Sequence, residues 1–465
     1  MAIDQGHWQE RYWRQMSRRA FLNWSTAGLG AMALAELIGQ ETRGAESLPW
    51  AGAARPLPLA PKARRVIQLF MSGGPSQLET FDFKPQLGAR ASKDQAENLF
   101  APQFTFSKVG RSGQEISELF PNLQRVADEL CIIRSMRGES VSHAPAQIFM
   151  STGSAIPGRP SIGSWLYYGL GSETNDLPGF VVLALPPHNG PNSTPTPAQV
   201  WHSGFLPSRF QGIKVSSTGD PIPYLERPPG LSDDVESGLI KTINDLNRVH
   251  EASLHDPECL TRIVQYETAF RMQTAVPELT DFSQESKKVL ELYGAKPGDG
   301  SFGSACLLAR RLAERGVRYI QVVHHGWDHH QKLKEEIKVC AGEVDQGMAA
   351  LLTDLKRRGM LEDTLVIWGG EFGRTPTYDR FGGRDHHYKG FSIWLAGGGV
   401  KGGITYGATD DLGFNAVEDV VDVHDLHATI LHVLGIDHKR LTYRFQGRDF
   451  RLTDIAGNVV DKILA

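Results

Sequence analysis

Short apolar runs that stop at glycine, proline or an acidic turn constrain the fold of this 465-residue chain more than any other feature. They are "VIQLFMSGGPS" from Val66, "GFVVLALPP" from Gly179, "VRYIQVVHHG" from Val317, "DTLVIWGGEFG" from Asp363 and "GFSIWLAGGG" from Gly390. Each has the length of a strand and lacks polar alternation, as expected of strands buried on both faces. Helical patterns such as "GSACLLARRLAER" and "AGEVDQGMAALLTDLKRRG" separate them. Alternation of this kind predicts an α/β fold, a three-layer α/β/α sandwich around a mostly parallel central sheet. From Pro186 to Pro229 the chain is rich in Pro, Gly, Ser and Asn, and from Ser232 to Gly294 it is helical in pattern and charged. Residues 186–294 are therefore expected to form an irregular and helical insertion, or cap, within one domain covering 64–465.

Composition narrows the class. Hydrophobic residues make up 40% and charged residues 22%, and 49 basic against 53 acidic residues give a net charge of -4. That balance offers no basic surface for nucleic acid. Cys131, Cys259, Cys306 and Cys340 are widely spaced and form no C-x-x-C pair, which excludes a cysteine-built zinc site and predicts buried free thiols. In "SRRAFLNWSTAGLGAMALAELI", Arg18 and Arg19 precede a short, weakly apolar run. This reads as a twin-arginine export signal, with 1–54 as signal and linker. The run is short of the ~20 apolar residues of a membrane span, so no stable span is expected after signal removal. The expected location is periplasmic or secreted.

Open parallel sheets place ligands beyond the carboxyl ends of their strands. Three polar clusters fall there: "HHGWDHH" at 324–330, "GGEFGRTP" at 369–376 and "GRDHH" at 383–387. Neutral imidazole and carboxylate ligate zinc, manganese or iron, and both transfer protons. The bland alternative is a polar loop whose histidines hydrogen-bond backbone. Arg374 can clamp an oxyanion or pair with Glu371 or Asp385. "GGPSQ" can offer backbone N–H groups to an anion. His424 and His427 share a helix face beside the capping residue Asp425, where a structural role is expected. Trp327 and Trp368 can wall a pocket or fill the core.

At "DTLVIWGGEFGRTP" the chain resembles the metal-binding turn of the alkaline phosphatase and sulfatase superfamily. "SHAPAQIFMSTG" is similar to a degenerate sulfatase signature: Pro145, Thr152 and Gly153 match, and His143 occupies the nucleophile position. "DLHATILHVLGI" resembles a helix near the C-terminus of these enzymes. "FMSGGPSQLETFDFKP", "GRPSIGSWLYYGLGS", "GWDHH", "GGEFGRTP", "GRDHH" and "GRDFRLTD" resemble a domain-of-unknown-function family of secreted twin-arginine proteins placed in that superfamily. The resemblance runs from about Arg64 to the C-terminus and implies the alkaline-phosphatase type of sandwich.

Carried over by position, the first metal site would take Asp328, His330 and His387. His386 competes with His387, and His324, His325 and His329 are spare donors. The second site departs from the pattern. Glu371 stands where the family uses Asp, Phe372 replaces a ligand, and Ser72 stands where a strand-end Asp is expected, with Asp82 or Glu79 as substitutes. His143 can serve as nucleophile, acid/base or ligand, but it cannot become formylglycine, so a true sulfatase is disfavoured. The resemblance implies an exported metal-dependent hydrolase of phosphate or sulfate esters, of small molecules or polysaccharides. Its divalent ion would be zinc, manganese or calcium, with Glu371 or His143 as base and Arg374 on the oxyanion. The alternative is a non-catalytic binding or scaffold protein that keeps the fold.

Overall fold

The computed structural model describes residues 50–92, 98–186, 193–216, 220–223, 225–227, 230, 232–254, 257–379 and 381–465. Arg18 and Arg19, and with them the export signal, lie outside the described residues. The chain divides into two compact units, one of Pro49–Pro229 with Glu267–Ala465 and a smaller one that includes Gly230–Tyr266.

The larger unit is built on a nine-stranded sheet. Its strands are β1 (Arg65–Met71), β2 (Leu130–Arg137), β3 (Phe180–Ala184), β4 (Ile213–Ser216), β5 (Tyr319–His324) and β6 (Thr364–Gly369). A two-stranded hairpin of β7 (Gly373–Arg374) and β8 (His386–His387) stands outside it, and β9 (Phe391–Ala396), β10 (Ile404–Tyr406) and β11 (Val421–Asp422) complete it. The order is β10-β2-β9-β6-β1-β5-β3-β4, with β11 beside β2. Pairing is parallel except at β9, which runs antiparallel to both β2 and β6. The exception has a physical cause. β9 is reached from β6 through the hairpin, with no helical crossover to bring the chain back in the same direction.

Alternate residues of the strands feed two separate cores. Ile67, Leu69, Ile320, Val322 and Val366 pack with Cys306 and Ala309 of α5 (Phe302–Glu314) and with Val344 and Met348 of α6 (Leu333–Arg357). Val66, Phe70, Val182, Leu365 and Ile393 pack with Trp165 of α2 (Ile162–Leu170) and with Ile430 and Leu431 of α7 (Val423–Val433). This second core also holds Phe149 and Met150 of α1 (His143–Thr152). Helices thus cover both faces, as buried parallel strands require, and each fully buried large side chain contributes about 1.5–3 kcal/mol. All four cysteines are buried free thiols.

The expected insertion begins differently. Ile213–Ser216 pairs in parallel with β3 as the sheet's edge strand, so part of the Pro- and Gly-rich stretch belongs to the sheet. The helical stretch forms α3 (Asp233–Leu254) and α4 (Pro257–Thr280). Among the described residues no helix is long and apolar enough to cross a membrane.

Candidate metal centre

β6, β1 and β5 are adjacent and parallel, so their carboxyl ends lie side by side. Ser72–Gly73, His325–His330 and Gly370–Glu371 leave the sheet at that edge. The loops are held close by glycine. A Cβ on Gly73, whose φ is +121°, would meet Asp328 N at 2.5 Å, and one on Gly383 would meet the His330 carbonyl carbon at 2.0 Å. Only residues without a side chain allow that approach.

Asp328 is the centre of the cluster. Its Oδ1 lies 3.1 Å from His143 Nε2, 3.2 Å from His330 Nε2, 3.2 Å from His386 Nε2 and 2.6 Å from Arg374 Nη2. Thr194 Oγ1 donates to Oδ2 at 3.2 Å. Burial raises the Asp328 pKa, but the three imidazoles and the Arg374 charge outweigh it and hold the carboxyl well below the usual range. It is an anion at any working pH.

Each imidazole is oriented from behind through Nδ1. His143 Nδ1 meets Glu371 Oε1 at 2.7 Å, His330 Nδ1 meets Asp379 Oδ2 at 2.8 Å, and His386 Nδ1 meets Val141 O at 2.6 Å. A carbonyl only accepts, so His386 carries its proton on Nδ1 and its Nε2 lone pair faces the Asp328 oxygen. Burial lowers the His386 pKa and the nearby Arg374 charge adds to it, against the Asp328 carboxylate, which raises it. A lone pair 3.2 Å from a carboxylate oxygen and 2.8 Å from His330 Nε2 needs a cation between them, either a proton or a metal. His143 Nε2 is buried and makes no hydrogen bond despite its 3.1 Å approach to Asp328. Burial opposes charge on His143, yet the Asp328 and Glu371 carboxylates prevail and lift its pKa to about 8. Ligating histidines held this way at the second nitrogen have their tautomer and ring orientation fixed.

Two sets of donors lie within 4.8 Å of one another: His143, Asp328 and His386, and, more exposed, His330, Asp385 and His386. The residues therefore fit a divalent ion with nitrogen and carboxylate ligands.

Several expected residues sit elsewhere. His387 is turned away from Asp328, and its Nε2 hydrogen-bonds Phe414 O. Successive strand residues face opposite ways, so in the β7–β8 hairpin only one of the pair can reach the cluster, and it is His386. Glu371 is withdrawn from any ion, since its carboxylate takes Gly73 N–H at 3.0 Å, Gln147 Nε2 at 3.0 Å and the His143 ring. The Gly-Gly turn thus serves Glu371. Arg374 is fully buried, donates to Gly74 O at 2.9 Å, Arg384 O at 3.1 Å and Asp328, and has no face for a substrate oxyanion.

The substitutes for the missing strand-end carboxylate are also engaged. Glu79 pairs with Arg384 at 2.8 Å inside the core, and Asp82 pairs with Lys84 at 3.1 Å. Ser72 Oγ donates to Thr194 O at 3.2 Å. Phe372 walls the centre, with ring centroids 4.9 Å from His143 and 4.7 Å from His386. Of the spare donors, His324 accepts from Trp327 Nε1 at 3.0 Å, and His325 Nδ1 meets Thr194 O at 3.1 Å. Trp327 and Trp368 belong to the core. Sequence reasoning missed Gln147, Thr194, Asp379 and the Val141 carbonyl. Gln147 alone left a signal, standing four residues after His143 on one helix face.

Fold and site together define an α/β/α sandwich protein with a histidine–aspartate cluster at the carboxyl edge of its sheet. The chain belongs to the family described as "Protein of unknown function (DUF1501)", which matches residues 63–464. No curated protein matches it. Among solved structures it is similar to Ps i-CgsB, at 10% identity over 80% of this chain and 72% of that one, with a TM-score of 0.37. It is similar to alkaline phosphatase from the Antarctic bacterium TAB5, at 12% identity over 80% and 98% of the two chains, TM-score 0.34. A third is the lipoteichoic acid synthase LtaP from Listeria monocytogenes, at 11% identity over 91% and 80%, TM-score 0.33.

Proposed function

We propose that the chain is an exported, metal-dependent hydrolase of phosphate or sulfate esters, carried by small molecules or polysaccharides. One observation carries the reading: three imidazoles, each held at Nδ1, present Nε2 to the same Asp328 oxygen. Asp328, His143 and His386 would hold the ion, with His330 beside them. The nitrogen-rich set suits zinc better than manganese or calcium, which favour oxygen ligands. A divalent ion there supplies Lewis acidity toward an ester oxygen or a water. Glu371, fixed by Gly73 and Gln147, orients His143. Asp379 holds a proton on His330 Nδ1 at the more exposed side of the cluster, where the His330 side chain is 33% accessible. Thr194 hydrogen-bonds Asp328, and Phe372 packs against the His143 and His386 rings. Export is supported by Arg18 and Arg19 ahead of a weakly apolar run.

A second reading, a binding or scaffold protein with one ion, is favoured by Ser72 at the strand end and by Glu371 and Arg374 being fully committed. Hydrolysis of aryl phosphate and aryl sulfate esters with added zinc, manganese, calcium or magnesium separates the two. Turnover that disappears in Asp328→Ala supports the hydrolase, and no turnover with any ion supports the scaffold.

A further inference from the structure

α3 carries apolar residues outward and polar residues inward. Val235, Leu239, Leu246 and Val249 are 44 to 58% exposed, while Glu236, Asn244 and Asn247 are buried. An amphipathic helix ordinarily lays its apolar stripe against the rest of its own chain. With the half-buried Thr242, the four exposed side chains follow one another at steps of four and three residues. They therefore form a single stripe within about 80° of the helix circumference. Gly238 stands at the edge of this stripe. A Cβ there would meet nothing within 4 Å among the described residues. No packing inside the chain requires glycine at this position, where it weakens the helix.

Two patterns along α3 say what covers the stripe. It reads Val235, Leu239, Thr242, Leu246, Val249, the same residue types in either direction from Thr242. On the adjoining flank stand Asp234, Lys241, Asp245 and Arg248, in the order acidic, basic, acidic, basic. Reversed, that order has the opposite sign at every step. A second copy of α3 laid antiparallel, with a two-fold axis at Thr242, sets Val235 against the partner's Val249 and Leu239 against the partner's Leu246. It also brings Lys241 toward the partner's Asp245 and Arg248 toward the partner's Asp234. The partner's Leu246 then falls over the notch at Gly238. A parallel copy would set like charges side by side, which is unfavourable. Asp245 already meets Lys241 and Arg248 of its own helix, each at 2.9 Å. Those pairs are exposed, so sharing them with a second helix costs little, and they fix direction more than strength.

We propose that α3 is a self-association surface, through which two copies of the chain pair by antiparallel α3 helices about a two-fold axis at Thr242. Such an interface is isologous, the commonest kind in homodimers. The stripe is short, so pairing belongs to micromolar concentrations, as small interfaces do.

Sedimentation of the full chain between about 1 and 100 μM should show a monomer passing to a dimer. Gly238→Leu should keep the chain monomeric without lowering its unfolding temperature, because the added side chain enters open space and leucine is the better helix former. A role confined to the fold would move the unfolding temperature and leave association alone. Lys241→Glu should weaken pairing by about fivefold, and Lys241→Glu combined with Asp245→Lys should restore it. Cross-linking reads the direction, since the four native cysteines are buried. Under mild oxidation Thr242→Cys should form a disulfide-linked dimer, whereas Val235→Cys, about 21 Å from its own copy, should not. A monomer at every concentration, no cross-link through Thr242→Cys, a cross-link through Val235→Cys, or a Gly238→Leu protein that still dimerises would overturn the inference. So would a monomer that floats with anionic lipid vesicles through the same stripe, or one whose Thr242→Cys thiol is shielded from maleimide. Those two results would give the stripe to a membrane or to another segment of this chain.

Discussion

His427 donates from Nε2 to Met150 O at 2.9 Å, and its Nδ1 is buried without a partner. Protonating Nδ1 would place a charge in the core beneath α7 with nothing to accept from it. Burial accordingly lowers the pKa from 6.5 to about 3. The linkage has a definite sign: as pH falls below about 6.5 the unfolded chain takes a proton that the folded chain refuses. Stability should therefore fall as pH drops from about 6.5 toward 3, and the fall should be shallower in His427→Gln. Denaturant unfolding across that window is the check; equal slopes in the two proteins would show that His427 titrates freely. His424, whose Nε2 meets Gly153 O at 2.9 Å, is likewise structural, as the helix-face spacing led one to expect.

At the scale of elements, the strand-end loops depend on glycine. Gly73→Ala would drive a methyl group into Asp328 N at 2.5 Å and the Trp327 carbonyl carbon at 2.7 Å, at a φ of +121°. Both obstacles are backbone, so the Asp328 loop must shift. The expected loss is about 1–3 kcal/mol of stability, accompanied by weaker metal retention, measured by thermal unfolding and metal analysis. A variant with wild-type stability and metal content would mean that the two loops are looser than this packing. The β7–β8 hairpin explains why one residue was misplaced in the sequence. "GRDHH" shows that a histidine is delivered to the site, but which of two neighbours faces inward depends on where pairing begins. His386 pairs opposite Arg374, and that register is invisible without the structure. In the same way, Ile213–Ser216 is a four-residue strand among turn-forming residues, too short for an apolar pattern to announce it.

Across the whole molecule, the long apolar runs made the central strands legible because a buried parallel strand tolerates almost no polar residue on either face. The clustering of polar motifs beyond those strands was legible for the same topological reason. What each polar group touches was not, since Glu371, Arg374 and Glu79 find their partners between 10 and 305 residues away along the chain. Export belongs to this scale too. Replacing Arg18 and Arg19 with Lys should leave the precursor in the cytoplasm, read by cell fractionation, and normal export of the Lys-Lys protein would remove the twin-arginine reading. Ion binding should also raise the unfolding free energy, by about 2.7 kcal/mol at a free concentration one hundred times Kd. The most direct test of the proposed metal centre is the metal content of protein purified without chelator or affinity metal, compared with His386→Ala and His387→Ala. One bound divalent ion per chain, lost in His386→Ala and kept in His387→Ala, is the predicted result. A metal-free wild type after reconstitution with zinc and manganese, or an ion retained in full by His386→Ala, would contradict it.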